Sequence, residues 1–385
     1  MSGKLKMGMV GGGLDALVGT WHRRAVAIDG RIELVAGALA STRERAIAAA
    51  REWQLPRAYG TWQEMLETES RLPAAERIDF VTVVTPNHMH YPIVKSFAEA
   101  GFHVVCDKPM TRTLEEAREL AAIVAKTEIV FALTHNYSGY PMVKQARHMV
   151  ASGELGQIIK VTVQYDQGWL LAPLERTGHK AAEWRTDPAR SGRAGAMGDI
   201  GTHAEQLMHY VTGLEIEALC ADLGRHHGRV LDDDGSVLLR FHGGARGLLS
   251  ASQVLSGKGN DLRLHVHGTD GALSWRQEEP ETLRLDRNDA PAQVYRRGEA
   301  YLCLAAKRGT RLPQGHPEGF HEAFANIYAN AGDTMRARKE GRGPTELELD
   351  FPTVHDGVRG MAFVDAVVDS DASEAKWTRM DQYLN

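Results

Sequence analysis

The first 134 residues alternate between short apolar runs and longer segments whose apolar positions have helical spacing. The apolar runs cover residues 5–10, 32–38, 80–84, 103–106 and 129–133. The helical segments begin near His22 and lie at residues 43–53, 92–100 and 114–126. Apolar strands that alternate with amphipathic helices are typical of a parallel sheet with helices on both faces. We therefore predict a doubly wound α/β domain over residues 1–134.

After residue 134 the pattern changes to alternation of period two. A helix near residues 142–151 precedes candidate strands at residues 159–165, 216–223, 237–241, 247–254 and 262–266. Several strands with few helices between them indicate a large, mostly antiparallel open sheet. The sequence thus predicts a second, α+β domain over residues 135–385, and the fold class of the whole chain is α/β plus α+β.

Composition and charge exclude several classes of function. The chain has 385 residues, 43% hydrophobic and 25% charged, which suits two domains with full cores. A net charge of −5 gives no electrostatic reason to expect binding to nucleic acid or to an anionic membrane. We expect no signal peptide and no membrane-spanning helix, because no apolar stretch approaches the ~20 residues that a span requires. Cys106, Cys220 and Cys303 lack metal-ligand spacing, so we expect reduced thiols in a cytoplasmic protein.

A glycine-rich turn follows the first predicted strand. Gly11, Gly12 and Gly13 come directly after the apolar run, and Gly19 lies further on. A strand, a glycine turn and a helix form the context of a dinucleotide-binding turn, in which the backbone approaches the pyrophosphate. The spacing departs from G-x-G-x-x-G, because five residues (14–18) separate Gly13 from Gly19 where two are usual. We predict cofactor contacts from Gly11, Gly13, Leu14 and Gly19.

The segment after the second strand bears on cofactor choice. An acidic residue at this place would bond the adenosine ribose hydroxyls and favour NAD, but residues 40–43 read Ala-Ser-Thr-Arg. The hydroxyls of Ser41 and Thr42 and the guanidinium of Arg43 can accommodate a 2′-phosphate, whereas the alternative makes Arg43 and Arg45 exposed helix residues. The prediction is NAD as cofactor, with NADP possible.

Two strand ends carry polar motifs. They are T-P-N-H-M-H at residues 85–90 and C-D-K-P at residues 106–109, and the proline of each motif ends its strand. Ligands of doubly wound sheets bind beyond the carboxyl ends of strands, so Lys108 is placed to bond a substrate oxygen. The alternatives are a solvated loop lysine, and turn or helix-cap roles for His88 and His90. The predicted cofactor contacts here are Thr85, Pro86, Asn87, His90, Asp107 and Lys108.

A third motif, G-D-I-G-T-H at residues 198–203, opens a predicted helix that ends at Gly213. Asp199 and His203 are four residues apart and therefore share one helix face. An aspartate near a helix N-terminus can hold an imidazole in one tautomer and stabilise its protonated form, as a general acid/base requires. The alternative is a solvent-facing pair on an ordinary amphipathic helix.

Further candidate substrate contacts lie on either side of this helix in the sequence. They are Tyr137, Trp184 and Arg185, and His316. Trp184 can stack on a sugar ring and Arg185 can bind hydroxyls or an anionic group, whereas the alternative is a core tryptophan with an arginine ion pair. His226, His227 and the aspartates at 232–234 could suggest a metal site, but such an acidic run is more typical of a turn, and we predict no metal.

Taken together and in this order, the glycine turn, T-P-N-H-M-H, C-D-K-P and G-D-I-G-T-H resemble the Gfo/Idh/MocA family of sugar and inositol oxidoreductases. The resemblance covers essentially the whole chain. It implies an N-terminal Rossmann domain, catalytic roles for Lys108, Asp199 and His203, and a place for Asn87 beside the nicotinamide. Two features depart from the family: the longer glycine loop, and Asp107 in place of the usual glutamate.

The resemblance also implies a function. It points to an enzyme that moves a hydride between a nicotinamide and a ring carbon of a sugar, sugar derivative or inositol, and to a homodimer or homotetramer associated through the C-terminal sheet. A redox glycosidase, which oxidises a sugar, eliminates the aglycone and reduces the ring again, is the alternative enzyme. A cofactor-sensing regulator without turnover is a further alternative, although such relatives typically lose the lysine or the histidine.

Overall fold

The structure is a computed structural model that describes residues 3–14 and 16–384. It divides into two compact units. The first contains the chain up to Thr111, Glu115–Asn136 and Phe320–Val358; the second contains Arg112–Leu114, Tyr137–Gly319 and the chain from Arg359. A single division after residue 134 does not anticipate the return of residues 320–358 to the first unit. Within the described ranges, no helix combines the length and apolar character that crossing a membrane requires.

The first unit is built on a six-stranded parallel sheet with the order β3-β2-β1-β4-β5-β6, which confirms the predicted doubly wound domain. Its strands are β1 (Leu5–Gly11), β2 (Ile32–Ala38), β3 (Arg57–Ala58), β4 (Phe80–Val84), β5 (His103–Cys106) and β6 (Phe131–Leu133). The helices between them are α1 (Leu17–Ile28), α2 (Arg43–Glu52), α3 (Trp62–Arg71), α4 (His90–Glu99) and α5 (Leu114–Thr127). The short β3 and the helix α3 were not predicted, because residues 57–71 carry few apolar positions.

The connection from β1 to α1 is shorter than predicted, because β1 ends at Gly11 and α1 begins at Leu17. Helix α1 begins at Leu17, so the predicted start near His22 is wrong, and Gly19 lies in its first turn. A Cβ on Gly19 would lie 2.0 Å from the carbonyl oxygen of Gly12, whose own φ is +70°. Strand and helix can therefore approach only because both positions lack a side chain. Of the predicted 14–18 loop, Asp15 lies outside the described residues.

A helix from the C-terminal part of the chain completes the core of this unit. Helix α11 (Phe320–Lys339, numbered in chain order) buries Phe324, Ile327 and Tyr328 in one cluster with Leu5 and Met7 of β1. The sequence of α11 is helical in character, but its pattern does not say which sheet it covers. This is why the two-domain division by sequence assigned it to the other domain.

The second unit contains a nine-stranded sheet with the order β14-β13-β12-β11-β7-β10-β9-β8-β15, in which only the described β7–β10 pair is parallel. Its strands are β7 (Ile158–Asp166), β8 (Ile216–Gly224), β9 (Asp234–Phe241), β10 (Arg246–Ser252), β11 (Asp261–Gly268), β12 (Gly271–Arg276), β13 (Thr282–Arg287), β14 (Gln293–Arg296) and β15 (Thr378–Arg379). The remaining α-helices are α6 (Pro141–Ala151), α7 (Lys180–Arg185), α8 (Pro188–Ser191), α9 (Thr202–Thr212), α10 (Leu304–Arg308), α12 (Val354–Asp371) and α13 (Asp381–Leu384). The predicted, mostly antiparallel sheet is confirmed, with four more strands than the alternation had indicated.

The contact between Gly12 and Gly19 generates a prediction about stability. Gly19→Ala would place a methyl group against backbone that cannot rotate away, so we expect a loss of about 1–3 kcal/mol in the free energy of unfolding. The measurement is chemical denaturation of wild type and variant. Gly343→Ala is the control, because a Cβ there meets nothing within 4 Å; equal stability of the two variants would contradict the prediction.

Candidate active site

The end of β4 lies beside the glycine turn. A Cβ on Gly11 would lie 2.4 Å from the carbonyl oxygen of Val84 and 2.8 Å from Cγ2 of Thr85. Asn87 opens a short 3-10 turn (Asn87–Met89) and is 5% exposed. The Thr85 hydroxyl is buried and has no hydrogen-bond partner among the residues that the structure describes. A turn of glycines with positive φ and an unpaired buried hydroxyl fit a dinucleotide, whose phosphates and nicotinamide approach the backbone closely at this edge of a sheet.

Asp107 begins the loop that carries Lys108. Its Oδ1 accepts hydrogen bonds from the backbone N–H of Lys108 at 3.0 Å and from the Thr134 hydroxyl at 2.8 Å, and it lies 3.9 Å from Nε2 of His22. Burial by itself would raise the pKa of the Asp107 carboxyl, but His22, with the nearby charges of Lys108 and His90, holds that pKa well below its usual range. Asp107, which is shorter than the glutamate usual at this position, is thus a firmly held anion that fixes the backbone at Lys108.

The histidine of the first motif is fully enclosed. His90 is 1% exposed and begins α4. Its ring nitrogens lie 2.8 Å from the carbonyl oxygen of Pro109 and 2.7 Å from that of Thr85. Each ring nitrogen therefore faces a backbone carbonyl oxygen of the first unit.

The segment after β2 shows how Arg43 is held. Thr42 caps α2, its side chain accepting from the Arg45 backbone N–H at 3.5 Å. The Arg43 guanidinium donates to the Glu64 carboxylate at 2.7 and 3.4 Å. Ser41 is exposed, as are Thr42 and Arg43. The hydroxyls and the arginine predicted to accommodate a 2′-phosphate are exposed, but the arginine already has a carboxylate partner.

In the second unit, Asp199 lies on a π-helical turn (Met197–Gly201) that runs directly into α9. The predicted single helix is thus wound differently in its first turn, and it ends at Gly213 in the left-handed conformation, as predicted. Asp232 holds the start of the π turn, because its carboxylate accepts from the N–H groups of Gly195 at 2.6 Å and Met197 at 2.7 Å. Single π turns inside helices often occur at functional sites.

Two side chains orient the Asp199 carboxylate within this unit. Arg185 Nε lies 3.3 Å from Oδ2, and Gln253 Nε2 donates to the same oxygen at 2.9 Å. The Arg185 guanidinium also lies over the ring of Trp184, 4.2 Å from its centroid. The arginine ion pair considered as the alternative therefore exists, and its partner is the candidate catalytic aspartate.

His203 is 6% exposed and packs against aromatic rings. Its ring meets Tyr137 edge to face with centroids 4.8 Å apart, and Tyr165 at 6.2 Å. The two tyrosine hydroxyls bond each other, and Asn260 bonds both: it donates to Tyr137 at 3.1 Å and accepts from Tyr165 at 2.7 Å. Burial raises the pKa of Tyr137 to about 12. The two tyrosines therefore stay neutral, and their rings pack against the imidazole of His203.

Sequence reasoning missed four residues of this arrangement, which are Tyr165, Gln167, Gln253 and Asn260. Gln167 bridges Asn260 at 2.7 Å and Gln253 at 3.4 Å, so a continuous chain of hydrogen bonds runs from Asp199 to the tyrosines at His203. The only signal in the sequence was the presence of amides near the ends of apolar strands. Their partners are tens of residues away, and residue spacing alone cannot pair them.

The remaining predicted residues, His316 and those of the acidic run, also belong to the second unit. His316 is exposed, in a loop held by Arg297 through its backbone carbonyl. Asp233 bonds Arg229 at 2.8 Å and His226 at 2.7 Å, so the acidic run serves the helix start and an ion-pair cluster. The three cysteines are free thiols. Predicted substrate binding by His316 stays a prediction.

Comparison with known proteins places these motifs in a family. Residues 5–146 match the oxidoreductase family with an NAD-binding Rossmann fold, and residues 143–274 match the GFO/IDH/MocA C-terminal domain. The chain is 30% identical over 383 residues to the uncharacterized oxidoreductase YfiI of Bacillus subtilis, which covers 98% of this chain and 97% of the relative. Levoglucosan dehydrogenase of Pseudarthrobacter phenanthrenivorans is 28% identical over 411 residues, covering 98% of each chain.

Solved structures give the same result. An inositol dehydrogenase homolog from Azotobacter vinelandii, in complex with NAD+, superposes with a TM-score of 0.93 and 34% identity, covering 98% of both chains. An inositol dehydrogenase homolog from the same organism, in complex with NADH and myo-inositol, superposes with a TM-score of 0.90 and 33% identity over 98% of both chains. The similarity therefore extends over both units.

Proposed function

Because the chain belongs to the Gfo/Idh/MocA family of oxidoreductases with an NAD-binding Rossmann fold, we propose that it oxidises a ring hydroxyl of a sugar, sugar derivative or inositol. The observation that carries the proposal is the Asp199 carboxylate, held by Arg185 and Gln253 on a π turn one turn before His203. The relatives that act on or bind levoglucosan and myo-inositol support a polyhydroxylated ring as substrate.

The cofactor would be held by the first unit. Gly11, Gly13 and Leu14 would face the pyrophosphate, and Gly19 would let α1 approach this turn closely. Thr85, Pro86 and Asn87 would face the nicotinamide half. The nicotinamide, when bound, supplies the hydride chemistry. The protein supplies orientation and the proton transfers.

Three side chains would carry the proton chemistry. His203 takes the hydroxyl proton of the substrate as general base, and Asp199 orients the imidazole and stabilises its charged form. Lys108 stabilises the developing alkoxide with its ammonium group. Lys108 and His203 can exchange these roles without changing the overall reaction.

The surroundings of these groups suit a hydroxylated ring. Trp184 offers aromatic surface, and Arg185 offers N–H donors beside the Asp199 carboxylate. We also propose a homodimer or homotetramer through the second unit's sheet. Leu238 of β9 supports this, because it is 49% exposed between the buried Val237 and Leu239 and so places an apolar side chain on the outer face of this sheet.

The first prediction concerns Lys108. Lys108→Ala should reduce turnover by roughly 10² to 10³-fold, because one preorganised donor to a developing oxyanion is removed. Dinucleotide affinity should stay nearly unchanged. The measurement is NADH formation during a screen of sugars, inositols and glycosides, with product analysis to separate net oxidation from glycoside cleavage.

Lys95→Ala is the control, since Lys95 is paired with Glu119 on the surface of the same unit. Removal of an oxyanion donor should lower turnover by at least about 10²-fold. If Lys108→Ala keeps more than about a tenth of wild-type turnover, Lys108 does not stabilise the alkoxide.

The second prediction concerns the pH dependence of oxidation. Only a neutral imidazole can accept a proton, so a base role for His203 predicts an oxidation rate that rises with pH. His203→Ala should lose this rising limb, as measured in a pH–rate profile of kcat. His209→Ala, on the same helix, should keep it. Persistence of the limb in His203→Ala would transfer the base role to Lys108 or to water.

The third prediction concerns NAD against NADP. No carboxylate follows β2 to repel a 2′-phosphate, so we expect NAD to be used with less than about a hundredfold preference, or about 2.7 kcal/mol. Glu64→Gln should improve NADP binding by freeing Arg43, and Ala40→Asp should sharpen the preference for NAD. Dissociation constants of both cofactors measure these effects.

Glu67→Gln is the matched control, because Glu67 pairs with Arg71 on the same helix, α3. The expected preference of less than about a hundredfold corresponds to ~2.7 kcal/mol. If wild type instead binds NAD several thousandfold more tightly than NADP, another residue distinguishes the ribose hydroxyl from the 2′-phosphate.

A further inference from the structure

His90 links the two strand ends that carry the predicted chemistry of the first unit. Strands β4 and β5 are parallel neighbours, with Val83 paired to Cys106. Thr85 follows β4, and Lys108 and Pro109 follow β5. One ring nitrogen of His90 lies 2.7 Å from the Thr85 carbonyl oxygen, and the other lies 2.8 Å from the Pro109 carbonyl oxygen. The ring therefore spans the gap between these two loops.

The chemistry of these contacts is restrictive. A carbonyl oxygen only accepts hydrogen bonds, so each contact needs an N–H on the ring. A neutral imidazole carries one N–H and can hold one loop, whereas an imidazolium carries two and holds both. Burial lowers the pKa of His90, while the Asp107 carboxylate and the two carbonyl groups oppose that effect. The ring is 1% exposed, so water cannot take the place of a hydrogen bond that is removed here.

We propose that His90 is a positioning residue that fixes the Lys108–Pro109 segment against the end of β4, rather than a direct ligand of the cofactor. The inference rests on the proposed function of Lys108. Pro109 is the next residue after Lys108, so the hydrogen bond at its carbonyl restrains the backbone from which the lysine side chain extends. Asp107, bonded to the Lys108 N–H, restrains the same backbone from the other side. A displacement of about 1 Å in a catalytic group can cost on the order of a hundredfold in rate.

Three variants of His90 separate the two contacts. The side-chain amide N–H of Asn occupies nearly the place of Nδ1, which faces Pro109, and that of Gln nearly the place of Nε2, which faces Thr85. Phe keeps a ring and removes both. We expect His90→Phe to lower kcat by at least about tenfold, with KM for the cofactor changed less than about threefold. His90→Asn should retain clearly more of kcat than His90→Gln, because it keeps the link beside Lys108.

A double-mutant comparison tells whether His90 acts through Lys108. In a Lys108→Ala background, His90→Phe should have little further effect on the residual rate, since the group that it positions is already gone. His103→Asn is the control, because it replaces a half-buried histidine of the same sheet. His103 begins β5 and accepts from the Val130 backbone N–H at 3.0 Å, and its replacement should leave kcat unchanged.

The outcomes are distinct from those of the proposed function itself. If Lys108→Ala retains turnover, the function of Lys108 fails whatever His90 does. If Lys108→Ala is inactive while His90→Phe has wild-type kcat, the positioning role is overturned. It is also overturned if His90→Asn is no more active than His90→Gln, and this comparison decides the question if His90→Phe does not fold.

Discussion

The parallel pairing of β1, β4 and β5 is the constraint on which the first unit depends. Parallel strands place all their carboxyl ends at one edge, so segments far apart in the sequence end side by side. The glycine turn after β1, Thr85 after β4 and Asp107 after β5 meet there for this reason alone. The parallel pairing of β1 with β2 requires α1 to cross back between them, and the lack of side chains at Gly12 and Gly19 lets the helix approach the end of β1 closely.

Buried polar groups at this edge hold one another. Removing a carboxylate from water is costly unless donors surround it. Asp107, whose side chain is 15% exposed, accepts from the Lys108 N–H and the Thr134 hydroxyl, and Nε2 of His22 lies 3.9 Å away. His22 in turn bonds the Tyr328 hydroxyl at 2.6 Å. A residue of α11 thus takes part in a network that begins next to the candidate catalytic lysine, and the return of residues 320–358 to this unit has a chemical as well as a packing consequence.

In the second unit, polar contacts hold Asp199 and His203 in place at the start of α9. Asp232 satisfies backbone N–H groups there, and Gly195 permits its approach, since a Cβ on Gly195 would lie 2.0 Å from the Asp232 carbonyl oxygen. Gln253 and the two tyrosines then fix the orientation of Asp199 and His203. Fully satisfied polar networks of this kind define one arrangement, because every alternative leaves a buried group without a partner.

The sequence by itself determined the classes of both sheets and the motifs at the strand ends. Apolar period and length report burial directly, and glycine, proline and capping patterns report backbone conformation, so β1, β2, β4, β5 and the C-cap at Gly213 could be predicted. Only the tertiary structure decided that α11 belongs to the first unit, that the Gln253 amide meets the Asp199 carboxylate, and that His90 faces two carbonyl groups. Those facts depend on which surfaces meet across tens of residues of chain, and local spacing carries no information about such distances.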